Sequence, residues 1–193
     1  MRFLVIYAHP VEDSFASALH RCVLRALAEA GHEIDDCDLY HEGFEPALSR
    51  QERIVYHDVN NNRGTVPDHI ERLRKCDGLV LVFPTWWYGM PAMLKGYIDR
   101  VWLPGVAFEL DKGRTMPLLH NIVKFAAVTT YGSPWWLNKL MADPNRSVFM
   151  RGIRHLFARN VRMLWLAQYG MDSIDAAQRE RFLRKVERRL KAF

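Results

Sequence analysis

Trp86, Trp87 and Tyr88 stand side by side within Pro84-Thr85-Trp86-Trp87-Tyr88-Gly89. The unbroken apolar run Leu79-Val80-Leu81-Val82-Phe83 precedes this segment, and a helix-like pattern opens at Pro91 just after it. Rings at such a junction are poorly placed to fill a core but well placed to line a flat apolar ligand, because pockets join apolar walls to a few placed polar groups. The competing reading is an aromatic-rich turn that packs against a neighbour. Backbone amides at the start of the next helix can stabilise negative charge developing on a bound ring. The chemistry suggested is that of a flat ring that accepts electrons, a flavin cradle.

A second set of residues opens the chain. The apolar segment Phe3-Leu4-Val5-Ile6-Tyr7 leads to His9, and a helical pattern begins at Ser14. Ser14 and Ser17 offer hydroxyls beside the unpaired N–H groups and positive dipole end of that helix, which suits a phosphate. His9 can donate to a phosphate oxygen when its ring carries the required proton, or it can simply cap the strand and face water. Neither GxGxxG nor a Walker A sequence is present, which disfavours a Rossmann dinucleotide site or a P-loop.

These residues need elements to hold them at one edge. Arg2–Ala8 reads as a first strand, and Phe15, Leu19, Cys22, Val23, Ala26 and Leu27 recur at helical spacing, with Asp13 or Ser14 as cap and Gly31 as terminator. Strands are predicted over 32–39, 79–83, 122–130 and 161–168, and helices over 67–75, 91–102, 147–158 and 175–191. The long polar excursion 40–66 carries a capping box, Ser49-x-x-Glu52, for a short helix over 50–56. Residues around Asp111-Lys112-Gly113-Arg114 read as a loop. Apolar runs without alternation require cover on both faces, so five strands separated by helices predict a doubly wound parallel α/β sheet, in one domain over 1–193. Ligands of such sheets bind at the carboxyl ends of the strands, where both sets of residues lie.

With 193 residues, 49% hydrophobic and 25% charged, the composition is that of a globular chain. No apolar stretch is long enough to span a bilayer and the first residues read as a strand instead of a secretory signal, so a cytoplasmic location is expected. Cys22, Cys37 and Cys76 show no CxxC or Cys/His ligand spacing, so reduced thiols and no metal site are expected. The net charge of +5 is concentrated on the last helix. Phe182, Leu183, Val186 and Leu190 give that helix an apolar stripe, so its cations read as a solvated outer face, not a nucleic-acid surface. Arg146, Arg151 and Arg154 read mainly as a solvated helix face too, with reception of an extra nucleotide phosphate as the alternative.

Taken together, Val5-Ile6-Tyr7-Ala8-His9 with Ser14-Phe15, Asp38-Leu39-Tyr40, Phe83 through Ala92, Leu94-Lys95-Gly96, Asp99-Arg100-Val101 and the pair Thr129-Thr130 resemble the NAD(P)H:quinone oxidoreductase family, the DT-diaphorase-like branch of flavodoxin-like flavoproteins. The resemblance covers residues 2 to about 133. It implies a flavodoxin-like five-stranded sheet, a non-covalent flavin and a homodimer; FAD is favoured slightly over FMN because a dinucleotide tail would use the His9–Ser17 edge and the long 40–66 excursion. It also implies hydride transfer from NAD(P)H through the flavin to a quinone-like acceptor by a two-electron ping-pong mechanism. By position, His9, Ser14, Phe15 and Ser17 would hold the phosphate region. Pro84, Thr85, Trp86, Trp87 and Tyr88 would hold the ring system, and Thr129, Thr130 and Gly132 the opposite lip. The chain departs from the family at Ala16, where relatives carry asparagine, and at Tyr131, where they carry glycine. Trp135-Trp136 stand near the position of a catalytic tyrosine. Tyr131 is therefore the expected proton donor and substrate contact, with Trp135 and Trp136 over the pocket. A flavodoxin-type electron carrier and an accessory subunit of a transporter are the alternatives.

Overall fold

The computed structural model describes residues 1–193. The chain runs through β1 (Arg2–Tyr7), α1 (Phe15–Glu29), β2 (Glu33–Asp38), α2 (Arg50–Val55), α3 (Pro67–Lys75), β3 (Gly78–Thr85) and α4 (Ala92–Val101). It continues through a hairpin of β4 (Phe108–Asp111) and β5 (Arg114–Pro117), then β6 (Lys124–Tyr131), α5 (Trp135–Leu140), α6 (Pro144–Ser147), β7 (Arg162–Gln168) and α7 (Ala176–Lys191). Five strands form one parallel sheet in the order β2-β1-β3-β6-β7. The reversal of winding between β1 and β3 is the switch point at which open α/β sheets bind ligands.

Alternate residues of each inner strand serve opposite faces. Leu4 and Ile6 of β1 join Leu79, Leu81 and Phe83 of β3 in a core covered by α3 and α4. Phe3, Val5 and Tyr7 join Val80 and Val82 in a second core covered by α1 and α7. This two-sided burial is why the strands read as unbroken apolar runs. The edge strand β2 is the exception, with four carboxylates in its sequence Glu33-Ile34-Asp35-Asp36-Cys37-Asp38.

Ser14 caps α1, accepting from the Ser17 amide at 3.1 Å, and Gly31 follows the helix at φ +78°. The Ser49/Glu52 capping box forms at α2, and a second, Asp175 with Gln178, opens α7. Three expectations are corrected. The loop around Asp111–Arg114 is an antiparallel hairpin whose tip, Lys112-Gly113, has positive φ at both residues, as a two-residue turn requires. Its strands are short and mostly exposed, so they carry no apolar alternation to read. The single helix over 147–158 is instead α6, a wider π turn at Val148–Gly152 and a 3₁₀ turn at Ile153–Leu156, a change of winding around fully buried Phe149. Pro91 caps α4 instead of lying within its first turn. No helix is long and apolar enough to cross a membrane.

Candidate active site

At the carboxyl end of β3 the chain turns back on itself. The Trp86 amide donates to the Gly89 carbonyl (3.1 Å) and the Gly89 amide to the Trp86 carbonyl (2.9 Å). The two residues between them, Trp87 (φ 52°) and Tyr88 (φ 60°), both take the left-handed conformation that such turns ordinarily reserve for Asn or Gly. Side chains are held in this region at a cost, typically where a site needs them. The turn leaves Trp87 98% exposed.

Beside this turn lies a crevice of about 350 Å³, lined by Pro84, Thr85, Trp86, Trp87, Thr130, Gly132, Met171 and Asp172. Its volume is within the range of about 300–1,000 Å³ usual for ligand pockets. β6 supplies Thr130, Gly132 follows the last residue of that strand, and the turn after β7 supplies Met171 and Asp172. Gly132 approaches Asp172 closely, so that a Cβ there would lie 3.0 Å from Oδ2 and push the carboxylate aside. Asp172 is the only charged residue on the crevice wall.

Beneath the wall is a buried polar layer. Thr85 Oγ1 lies 2.9 Å from Thr129 Oγ1 and accepts from Asn145 Nδ2 at 3.0 Å. Thr129 is fully buried, so it supports the lip without forming its surface. Tyr131 does not take the place expected of a substrate contact. Its ring is 2% exposed and stacks on Tyr169 with centroids 4.6 Å apart, and its hydroxyl donates to Asp143 Oδ1 at 2.9 Å. Burial first, and Asp143 second, push this phenol far above its ordinary value. A donor turned inward and committed to a carboxylate cannot protonate a substrate in the crevice. The same two causes raise Tyr169 to about 12, its hydroxyl reaching Asp143 Oδ2 at 3.3 Å. Trp135 and Trp136, on α5, are 60% and 59% exposed and do not line the crevice.

The other half of the site lies where β1 meets α1. Ser14 Oγ is engaged in capping, and the amides of Phe15 and Ala16 in the first turn have no partner. The Phe15 ring packs towards Phe182 of α7 (centroids 6.5 Å apart), so only its backbone faces the opening. Ser17 Oγ accepts from Arg21 Nη1 at 2.7 Å. His9 Nδ1 lies 3.1 Å from the Val11 amide and 3.2 Å from the Val11 carbonyl, which anchors the ring to the main chain and leaves Nε2 without a protein partner. A cavity of about 690 Å³ adjoins these groups, with Tyr7, His9, Ser17, His20, Arg21, Asp36, Asp38 and Tyr40 on its walls. Tyr7 stacks on His20 (4.3 Å, 3° between planes), whose Nε2 lies 2.7 Å from Asp36 Oδ1, and the buried Tyr7 hydroxyl has no partner. The His9 and Trp86 rings stand 6.2 Å apart, joining the phosphate end to the aromatic turn.

Of the expected residues, the structure therefore gathers His9, Ser14, Ser17, Pro84, Thr85, Trp86, Trp87, Thr130 and Gly132 along one continuous edge. Tyr88 sits in the same turn but does not line the crevice. Sequence reasoning missed Asp143, Asn145, Met171 and Asp172. The one available signal was that residues 169–172 follow a strand end on the functional edge.

The chain is 36% identical over 126 residues to an uncharacterised NAD(P)H oxidoreductase of Haemophilus influenzae, a match covering 63% of this chain and 60% of that protein. The chain thus spans about three-fifths of the length of the first curated relatives it matches. An NAD(P)H:quinone oxidoreductase from Methanothermobacter marburgensis superposes with a TM-score of 0.80 at 27% identity, covering 99% of this chain and 96% of the other. A Streptococcus mutans protein shares the fold throughout, with a TM-score of 0.87, 24% identity and full coverage of both chains. A family model described as flavodoxin-like fold matches residues 1–190, and the chain belongs to that flavodoxin-like family.

Proposed function

We propose that this chain is a flavin-dependent NAD(P)H oxidoreductase acting on quinones or similar small acceptors. The observation that carries the reading is the continuity of the edge: an anion site at the start of α1 and a crevice walled by Trp86 and Trp87, meeting at His9. The residues fit a flavin. The unpartnered amides of Phe15 and Ala16 and the free His9 nitrogen suit its phosphate, and the crevice suits its ring system. The partnerless Tyr7 hydroxyl and the 690 Å³ cavity beside it offer room for a second nucleotide half, which supports FAD over the FMN named with a Bacillus anthracis azoreductase that shares the fold. A flavin held there would supply two-electron redox chemistry between reduced nicotinamide and a quinone-like acceptor, used in turn in ping-pong order.

The protein's part is to orient the rings and shield the reaction. Trp86 and Trp87 hold one side of the crevice. The Thr85–Thr129–Asn145 hydrogen bonds fix the β3 and β6 ends, and Asp143 with Tyr131 and Tyr169 stiffens the floor beneath. Exposed Trp87, Trp135, Trp136 and Leu140 at this edge support a homodimer built around the site. A cytoplasmic location accords with the reduced thiols.

Purification is expected to yield a yellow protein, and chromatography of the flavin released on denaturation to give FAD. Steady-state oxidation of NADH or NADPH with a quinone should give parallel double-reciprocal lines. A colourless protein that takes up neither flavin overturns the reading, and a coloured one that turns over no nicotinamide makes it a carrier or accessory subunit instead.

Two substitutions test the placement. Trp87→Ala should raise the flavin Kd about tenfold or more, through lost stacking of roughly 0.5–1.5 kcal/mol plus lost burial. Trp135→Ala should change it less than twofold, and the reverse ranking, read by flavin fluorescence titration, would put the ring elsewhere. Asp172→Asn should improve kcat/KM for an anionic acceptor over a cationic one by about fivefold at low salt, an effect that fades at high salt. Equal changes for both acceptors would remove Asp172 from the acceptor's path.

A further inference from the structure

Away from the crevice, β2, the loop after it, α3 and α4 bring together four donors that the proposed reaction does not use. Cys37 of β2 is fully buried, with Sγ 3.7 Å from Glu42 Oε2 and 3.8 Å from His69 Nδ1. His69 Nε2 lies 3.9 Å from the same carboxylate oxygen, and one donor atom from each residue lies within 4.8 Å of the other two. A four-coordinate ion with bonds of about 2.0–2.3 Å sets its donors roughly 3.3–3.7 Å apart. The thiol's separations from the imidazole and the carboxylate are already near that spacing. Thiolate, imidazole and carboxylate together suit zinc and its neighbours over magnesium or calcium.

An independent observation concerns Tyr97 of α4. It is fully buried, and its hydroxyl hydrogen-bonds to nothing. Its ring meets that of His69 edge-on at 5.5 Å and tilts against that of Phe44 at 5.4 Å. A hydroxyl shut away from water without a partner is costly, and a water on an ion in this cluster would supply the missing acceptor.

We propose that Cys37, His69 and Glu42 bind a divalent transition ion of zinc type, with Tyr97 donating to a water in its fourth position. Binding releases the Cys37 proton to solvent and turns one Glu42 oxygen away from Arg72. Arg72 keeps its contacts with Asp35 Oδ1 (2.8 Å) and the Asp36 carbonyl (2.5 Å). The ion would pin the start of the 40–66 excursion to α3. The proposal stands or falls independently of the flavin reading.

The full chain, stripped with a chelator, is titrated anaerobically with cobalt(II) alone. One equivalent should produce thiolate-to-cobalt charge transfer and the intense visible bands of a four-coordinate ion, and equimolar zinc should bleach them. Zinc at a hundredfold excess over its Kd should raise Tm by about 5–10 °C. Cys37→Ser should abolish the charge-transfer band. His69→Gln should weaken binding at least tenfold with an unchanged circular dichroism spectrum, and Tyr97→Phe should weaken it about tenfold. Absence of the thiolate band in the wild type overturns the proposal. So does a band that survives in Cys37→Ser or is unaltered in His69→Gln, because the ion then sits on another cysteine or on surface histidines.

Discussion

Arg100→Ala is expected to remove about 3–5 kcal/mol of folding stability, the usual result of deleting one partner from a buried ion pair. Arg100 is 6% exposed on α4, and its guanidinium donates to Glu52 Oε1 through Nε (3.0 Å) and Nη2 (2.5 Å), to Thr65 Oγ1 (2.5 Å) and to the Glu45 carbonyl. It thereby ties the beginning, middle and end of the 40–66 excursion to one helix. Glu52 also closes the α2 capping box, so the substitution strands a carboxylate that organises a second element. Burial alone would raise Glu52, but hydrogen bonds from Arg100 and Ser49 outweigh it and hold the carboxyl at about 2, against an ordinary 4.5.

A depressed carboxyl stabilises the fold above its unfolded value and loses that contribution as pH falls through its folded one. Glu52, held by Arg100 and Ser49 together, therefore adds on the order of 3 kcal/mol above pH about 5, lost progressively between about 4.5 and 2, and Arg100 supplies only part of it. Urea midpoints measured across this window should fall more steeply for the wild type than for Arg100→Ala. Parallel pH profiles would show that the pair is not what holds the excursion. Replacing both partners together, Arg100→Met with Glu52→Leu, should recover much of the loss because no charge is left stranded.

Gly96→Ala should also be destabilising, by about 2 kcal/mol or more, against the gain of about 1 kcal/mol that alanine ordinarily brings to a helix interior. Gly96 faces the excursion at Pro46, where an added Cβ would overlap the carbonyl oxygen and side chain and come within 2.6 Å of Pro46 Cα. Backbone cannot rotate aside as a long side chain can, so the loop must lift. Lifting Pro46 also draws the Glu45 carbonyl from Arg100, so the two substitutions should be non-additive in a double-mutant cycle. A Gly96→Ala variant as stable as the wild type in urea denaturation would mean that the helix and loop are not in contact there.

The strands of the sheet were legible because each inner one is buried on both faces, and α1, α2 and α7 because Ser14, the Ser49/Glu52 pair and the spacing of Phe182, Val186 and Leu190 act locally. The aromatic turn was legible as chemistry because nothing in core packing calls for Trp86-Trp87-Tyr88 at a strand end. What failed depended on tertiary context. Phe149 reaches the core only through a change of helical winding that no regular helical period encodes. Tyr131 looked available because it follows Thr129-Thr130, but strand alternation turns it inward to Asp143, twelve residues further along the chain. Asp172 was invisible because its place at the crevice comes from the turn after β7. Cys37, Glu42 and His69 lack ligand spacing along the chain, and only the packing of β2 against α3 brings them together.

The acidic edge strand has a consequence for colloidal behaviour. β2 offers one unpaired backbone rim to solvent, and an open rim is a template on which strands of other molecules can grow. Glu33, Asp35, Asp36 and Asp38 and the Arg2 and Arg72 side chains paired with them stud that rim with charged groups, and Arg72 covers the Asp36 carbonyl, so lateral growth of fibres from this side would have to bury charge. Exchanging Asp35 for valine would leave both Arg2 and Arg72 without that partner as well as strip charge from the rim, so the molecule should become less stable and more prone to precipitation together.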